Sequence, residues 1–325
     1  MTVAQDQLAA LLTSSERLIR RRAAEVWRWL RDHNKLADIE RQLAAGNVAG
    51  AIQQIERAAE LIAEASTASY NRAAAATSAR VSTAAGVPFM FDQTNRATVA
   101  ALARERARLV REVTTRQREA ITRAIDEGIR AGANPIAVAR RVRDSIGLTE
   151  AQVGQVEAYR RALEAGGVEA LTRQLRDRRF DRTVRRAARE ETPLTPRQID
   201  KMVEAYRERR IIRRSEDIAR TESLAAVHAG EHDTWQQARA SGDIATGDIV
   251  REWWHSGLDE ARPFHLSMHK QRRGLDEPFL TGLGNSLMFP GDPKAPVVER
   301  VNCRCNVTTR FVAMARTNDR ATRAR

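Results

Sequence analysis

IARTESLAAVHAG (218–230), IVREWW (249–254), RPFHLSMHK (262–270), MFPGDPKAP (288–296) and VNCRC (301–305) follow one another in the last third of this chain. Both cysteines and five of the six histidines lie between Ile218 and Thr308. The remainder is Arg-rich sequence of amphipathic helical texture. Side chains able to do chemistry or hold a metal are therefore gathered in one module, and its alternation of helix, strand and Gly/Pro/Asp-rich turn sets the fold there. IVREWW reads as a strand, with short strands near Leu287–Phe289 and Asn306–Phe311. A residue pair such as Trp253 and Trp254 points to opposite faces of a strand, one into the core and the other over a neighbour.

Outward from the module, apolar residues recur every three or four positions. Leu8, Leu11, Leu12, Leu18, Ile19, Val26, Trp29, Leu30, Leu36, Ile39 and Leu43 predict one long helix, broken by AAGNVAG (44–50). Ile52, Ile55, Ala59 and Ile62 predict a second, which passes into an Ala/Ser/Thr-rich run up to Gly86. That run is either a face for close packing or a mobile linker. VPFMF (87–91) predicts an extended insert, and Val99 to Ile129 a helix over 94–130. Next comes GANP (132–135), where proline suits the first turn of the following helix. LTEAQ (148–152) and LTPRQ (194–198) are two similar helix starts. The second precedes a helix to about Arg214, after which Ser215 is expected to cap another. The fold class is mostly α in the N-terminal two-thirds, built of long helices, with a small C-terminal α+β module. The expected division is a helical arm (1–86), a helical Arg-rich region (87–214), the module (215–312) and a basic, disordered tail (313–325).

The 325 residues carry a net charge of +13, and its distribution matters more than its total. Residues 160–220 hold 18 basic and 11 acidic side chains, a net of +7, and 300–325 add +6. Such surfaces suit a polyanion, most simply DNA phosphates. Candidate contacts are Arg178, Arg179, Arg185, Arg186, Arg213, Arg214, Arg320, Arg323 and Arg325. The competing reading is a set of solvated helix faces with internal ion pairs, since Arg and Glu alternate closely. No helix-turn-helix, zinc-finger or RNA-binding signature points to sequence-specific recognition. No apolar run is long enough for a membrane segment, the N-terminus lacks signal-peptide layout, and Cys-x-Cys is a poor disulfide framework. Synthesis and residence in a cytoplasm are expected.

His265 and His269 stand i, i+4, so a helix would put both imidazoles on one side. With Cys303 and Cys305 they make a complete tetrahedral set for a structural zinc. The alternative is that all four are packed, hydrogen-bonded structural residues. A catalytic version would use His265 as a general base beside Asp259 or Glu260. His228 and His232 share the i, i+4 spacing, without cysteines nearby.

The order A-R-T-E (219–222), Trp253, Arg262 with His265, P-G-D-P (290–293) and N-C-R-C (302–305) resembles the minor head proteins of tailed bacteriophages, typified by the protein F of phage Mu. The resemblance covers about residues 215–310. It implies a non-enzymatic virion component, at low copy number near the portal vertex and active in head morphogenesis. It would be assembled in the host cytoplasm, in contact with portal or major capsid subunits and with packaged DNA. The Arg-rich segment 150–213 departs from the pattern and inherits no family role. A metal-dependent DNA-processing enzyme, such as a nuclease using His265 and His269, is the alternative. A cellular DNA-compacting protein is the third reading.

Overall fold

The computed structural model describes residues 3–31, 37–38, 41–42, 45, 47–132, 135–166, 168–255, 257 and 261–312. Leu36, Ile39 and Leu43 of the expected first helix, Asp259 and Glu260, and the tail with Arg320, Arg323 and Arg325 lie outside them. The fold is mostly helical, with long helices through the N-terminal two-thirds and a small C-terminal region of helix and antiparallel sheet. In order come α1 (Val3–Arg31), α2 (Val48–Ala85), α3 (Arg96–Arg130), α4 (Pro135–Ser145), α5 (Glu150–Glu164), α6 (Asp181–Arg189) and α7 (Pro196–Ala240). Then follow β1 (Ile249–Trp254), α8 (Pro263–Leu266), β2 (Arg272–Arg273), β3 (Phe279–Leu280), β4 (Ser286–Leu287), α9 (Val297–Arg300) and β5 (Asn306–Phe311). No helix among the described residues is long and apolar enough to cross a membrane.

Contacts divide the chain into two compact units, each discontinuous in sequence: 1–19, 64–106 and 217–325 form one, 20–63 and 107–216 the other. The first contains the module. Its three-stranded antiparallel sheet has the order β2-β1-β5, with Trp253 opposite Val307 and Glu252 opposite Arg272. Strand alternation puts Ile249, Arg251 and Trp253 on one face. Trp253 is fully buried with Leu224, Phe279, Leu287 and Val307, while Ile249 joins Val81, Trp235 and Leu275. Burying a side chain of Trp253's size stabilises by at least about 3 kcal/mol, the upper figure for a smaller Leu or Phe. Trp254, on the other face, is half-buried and donates its Nε1–H to Thr308 Oγ1 at 3.1 Å.

The Ala/Ser/Thr-rich run belongs to α2, so it is a packing face and not a linker. Ala65, Ala73 and Ala74 are buried there, which lets another backbone come close. At Gly230 of α7 an added Cβ would stand 2.5 Å from the Tyr70 carbonyl oxygen. The α2 serines also tie down VPFMF: Phe89 and Phe91 donate their backbone N–H groups to Ser82 and Ser78 Oγ at 2.9 and 3.1 Å.

In the second unit, both expected helix starts carry reciprocal caps. Thr149 and Gln152 exchange hydrogen bonds between side chain and backbone at the start of α5, as do Thr195 and Gln198 at α7. The expected break near Ser215 does not occur. Ser215 Oγ donates to the Ile211 carbonyl oxygen at 3.0 Å inside a continuous α7, because a serine within a helix satisfies itself on the preceding turn. The core joining α5, α6 and the first half of α7 includes Tyr159, Leu163, Val184, Met202 and Tyr206, with the two tyrosine rings stacked at 4.5 Å.

Candidate metal centre

Each sequence element of the module arrives at one place by an identifiable contact. Arg262, just ahead of α8, donates to the carbonyl oxygens of Glu299 (3.0 Å) and Val301, fixing α8 against the segment that leads to the cysteines. Asn302 takes a left-handed backbone conformation (φ 57°). Its N–H donates to Thr221 Oγ1 at 3.0 Å and its side-chain amide to Asp217 at 3.1 Å, so α7 holds the turn into Cys303. In PGDP, Asp292 accepts the N–H groups of Met288 and Lys294, both at 2.9 Å. Gly291 (φ 83°) backs onto α7 so closely that a Cβ would lie 2.9 Å from Ala225 N. Only glycine combines that conformation with that approach.

The result is a buried triad: His265, Cys303 and Cys305 are 1%, 4% and 1% exposed. His265 Nδ1 lies 3.6 Å from each Sγ, and its Nε2 is 2.6 Å from Glu299 Oε2. Glu299 is itself fully buried and accepts from Thr281 Oγ1 (3.0 Å) and Asn285 Nδ2 (2.7 Å). With the Nε2 proton donated to Glu299, the lone pair on Nδ1 points at the two sulfurs. This is the arrangement in which a carboxylate orients a metal-binding histidine. Thiolate and imidazole ligands at ordinary zinc distances, in tetrahedral geometry, stand ~3.5 Å apart, close to what is found here. Nitrogen and sulfur donors of this softness suit zinc. Among the described residues this is the one group of three or more side chains whose donor atoms, within 4.8 Å of one another, could hold a metal ion.

Without a metal the three groups polarise one another. The Cys303 thiol is held well below its usual range, first by a hydrogen bond from Cys305 and then by His265. Cys305 moves up, because its proton is held by Cys303. Burial opposes a charged His265, yet Cys303 and Glu299 outweigh it and raise its pKa.

His269 does not join the set. The helix that was to align it with His265 is a single turn ending at Leu266, and Lys270 takes φ 62° just beyond. His269 instead faces Trp254 (ring centroids 5.3 Å) and His255 (4.1 Å). The expected four-ligand closure is therefore three ligands in the described residues. His228 and His232 belong to no group of three or more possible metal ligands among the described residues. His228 Nδ1 lies 3.9 Å from Glu231, and burial lowers its pKa. His232 packs on Phe289, and burial, then Arg251, push its pKa down to about 3. Among the arginines proposed for DNA, Arg214 is buried with its guanidinium 4.8 Å over the Trp27 ring, so it is a core residue. Arg213 lies 3.9 Å from Glu216. Arg178, Arg179, Arg185 and Arg186 are all exposed on and just before α6.

Glu299 and Arg251 were not singled out in the sequence. Glu299 sits in the apolar run APVVERV, where a lone acid draws notice only as a partner for a buried base. Arg251 is 2% exposed and bonds the carbonyl oxygens of Gly274, Glu277 and Met288, joining the β2–β3 loop to the segment after β4.

No family model matches this chain, and no solved structure matches it. It is similar to the uncharacterized protein YqbB of Bacillus subtilis (strain 168), at 36% identity over 95 residues, 28% of this chain and 29% of YqbB. The matched segment spans less than a third of that relative's length.

Proposed function

We propose that this chain is a minor head protein of a tailed bacteriophage. It serves as a low-copy assembly component near the portal vertex, bound to portal or major capsid subunits and lying against packaged DNA. A structural zinc held by His265, Cys303 and Cys305 stabilises its C-terminal module. The observation that carries the reading is how the five ordered elements are used. A-R-T-E, Trp253, R-x-x-H, P-G-D-P and N-C-R-C meet one another through buried and part-buried contacts, so the motif is spent on holding a small scaffold together. A nuclease would need His265 open to a phosphate and a water, and it is 1% exposed. A binding or assembly role fits a module whose characteristic residues face inward.

Fractionation of infected or induced cells tests the reading. The protein is expected in purified virions and in procapsids, at far fewer copies than the major capsid protein, and to co-purify with portal protein. Its absence from both particles would defeat the proposal. Cleavage of DNA by the purified protein, lost in His265→Ala with folding intact, would favour the nuclease.

A further inference from the structure

We infer that the outward face of α6 is a binding surface for the phosphate backbone of duplex DNA. The segment from Arg178 to Arg189 holds six arginines and a single acid, Asp181. Its inner side is fixed: Val184 is buried, and Phe180 and Ala187 pack on the same core. The two acids at its start are already committed. Asp177 is buried and bonded to Arg179 at 2.7 Å, with Arg209 at 3.2 Å. Asp181 takes both of its oxygens to Arg176 at 2.9 Å. These pairs fix the turn and remove its negative charge from the surface.

Arg178, Arg182 and Arg186 are left over. All three are exposed and hold no ion pair among the described residues. Arg182 and Arg186, four apart on α6, stand about 6 Å apart along its axis, and Arg178 extends the line from the 3₁₀ turn (Arg178–Phe180) that leads into the helix. Arg185 and Arg189 flank the row, 64% and 78% exposed, with only loose contacts to Asp181 and Glu190 at 3.7 Å. Glu190 and Glu191 close the helix and bound the patch at that end.

A row of guanidiniums along a helix fits a polymer with regularly spaced phosphates better than a single small anion. Duplex DNA carries one charge per about 1.7 Å of axis, so the row of about 12 Å faces about seven. The exposed residues of α6 are all arginines, and a row of charge suits phosphate oxygens, contacts that carry no sequence information directly. No large apolar side chain is exposed on α6, which a membrane-surface helix would require. The inference sharpens the DNA contact of the proposed function, yet purified protein and synthetic DNA suffice to test it. It can stand if the protein is absent from virions and fall if it is present.

The experiment is a salt titration of binding to a short fluorescent duplex, using the full chain. The comparison is Arg178→Gln/Arg182→Gln/Arg186→Gln against a charge-matched control, Arg17→Gln/Arg104→Gln/Arg111→Gln, with helix content checked by circular dichroism. The α6 variant is expected to bind at least about tenfold more weakly at low salt, and the slope of log K against log salt to shrink by about 2.7, three contacts at about 0.9 each. The control is expected to change both by less than half as much. A wild-type slope in the α6 variant, an equal loss in the control, or no binding by wild type at about 50 mM salt would overturn the assignment. Binding to anionic vesicles or polyglutamate without binding to the duplex would overturn it as well.

Discussion

Replacing Glu299 by Gln tests whether the buried triad is a metal centre or a set of packed polar residues. Its carboxylate accepts three hydrogen bonds, from His265 Nε2, Thr281 and Asn285, and water reaches none of it. The amide keeps the shape but turns one acceptor into a donor. Turned toward Oε1, that NH2 meets the Asn285 and Thr281 donors; turned toward His265, it meets the Nε2–H of the tautomer whose Nδ1 faces the sulfurs. One hydrogen bond to a charged group contributes about 1.5–3 kcal/mol, and a stranded buried donor costs about 1–3 kcal/mol. A loss of about 3 kcal/mol in metal-free stability is expected on either reading. Metal affinity separates the two. If Glu299 orients His265 toward a zinc ion, Glu299→Gln should bind zinc about 10- to 100-fold more weakly, as seen when the partner of a ligating histidine is removed. The assays are urea unfolding with and without zinc, and competition for zinc against a chromophoric chelator. His269→Ala is the internal control and should leave zinc affinity unchanged, since His269 stands apart from the triad. Less than about 0.2 zinc per chain in wild-type protein purified without chelator would refute the metal centre. So would a Glu299→Gln affinity equal to wild type.

Three further outcomes follow from the same physical terms. Burial lowers the pKa of His232 to about 3, so between pH 3 and its ordinary value near 6.5 the unfolded chain binds more protons; this stability is complete above pH 6.5 and is lost as pH falls through that range. The loss is about 2 kcal/mol at pH 5, and His232→Gln should remove that part of the acid sensitivity in urea titrations at pH 7.5 and 5; an unchanged difference would contradict it. Burial, then the neighbouring Glu127, raises Glu157 to about 7; here the folded state binds more protons, so stability is present below about pH 4.5 and lost as pH rises through 7. Glu157→Gln should therefore be more stable than wild type by up to about 3 kcal/mol at pH 8 and equal to it at pH 4.5, and no gain at pH 8 would count against the pairing. Gly291→Ala combines a left-handed conformation with a Cβ 2.9 Å from Ala225 N; about 1–2 kcal/mol of backbone strain and about 1–3 of overpacking should make the protein clearly less stable to urea, and wild-type stability would show that PGDP is not seated on α7 as described.

The helices were legible because apolar periodicity and capping chemistry are local. Thr149 with Gln152, and Thr195 with Gln198, mark their helix starts within four residues. The continuity of α7 was not legible, since Ser215 carries the same hydroxyl whether it caps a new helix or bonds back to Ile211. The same limit governs the metal centre. Cys303 and Cys305 were identifiable because two thiols one residue apart cannot be far apart in space. His269 was misassigned because i, i+4 spacing counts only on a continuous helix, and α8 ends one residue after His265. Glu299 was missed because its partner, His265, lies 34 residues earlier in the chain.

The contacts among the motif residues show how the elements of the module depend on one another. A thiol pair and an imidazole form a ligand set only if the two segments bearing them are held within a few ångströms. Here Arg262 holds the approach to Cys303 by its carbonyl oxygens, Asn302 is held by Thr221 on α7, and Gly291 admits PGDP against the same helix. Each motif thus supplies a constraint that another needs. Removing the Arg262 or Asn302 contact should loosen the triad before it unfolds the sheet, since β1 and β5 pair by backbone register from Ile249–Phe311 to Trp254–Asn306. A metal ion joining α8 to the turn before β5 would reinforce a connection that Arg262 and the His265–Glu299 pair already make. Such an ion would act on the stability of the module.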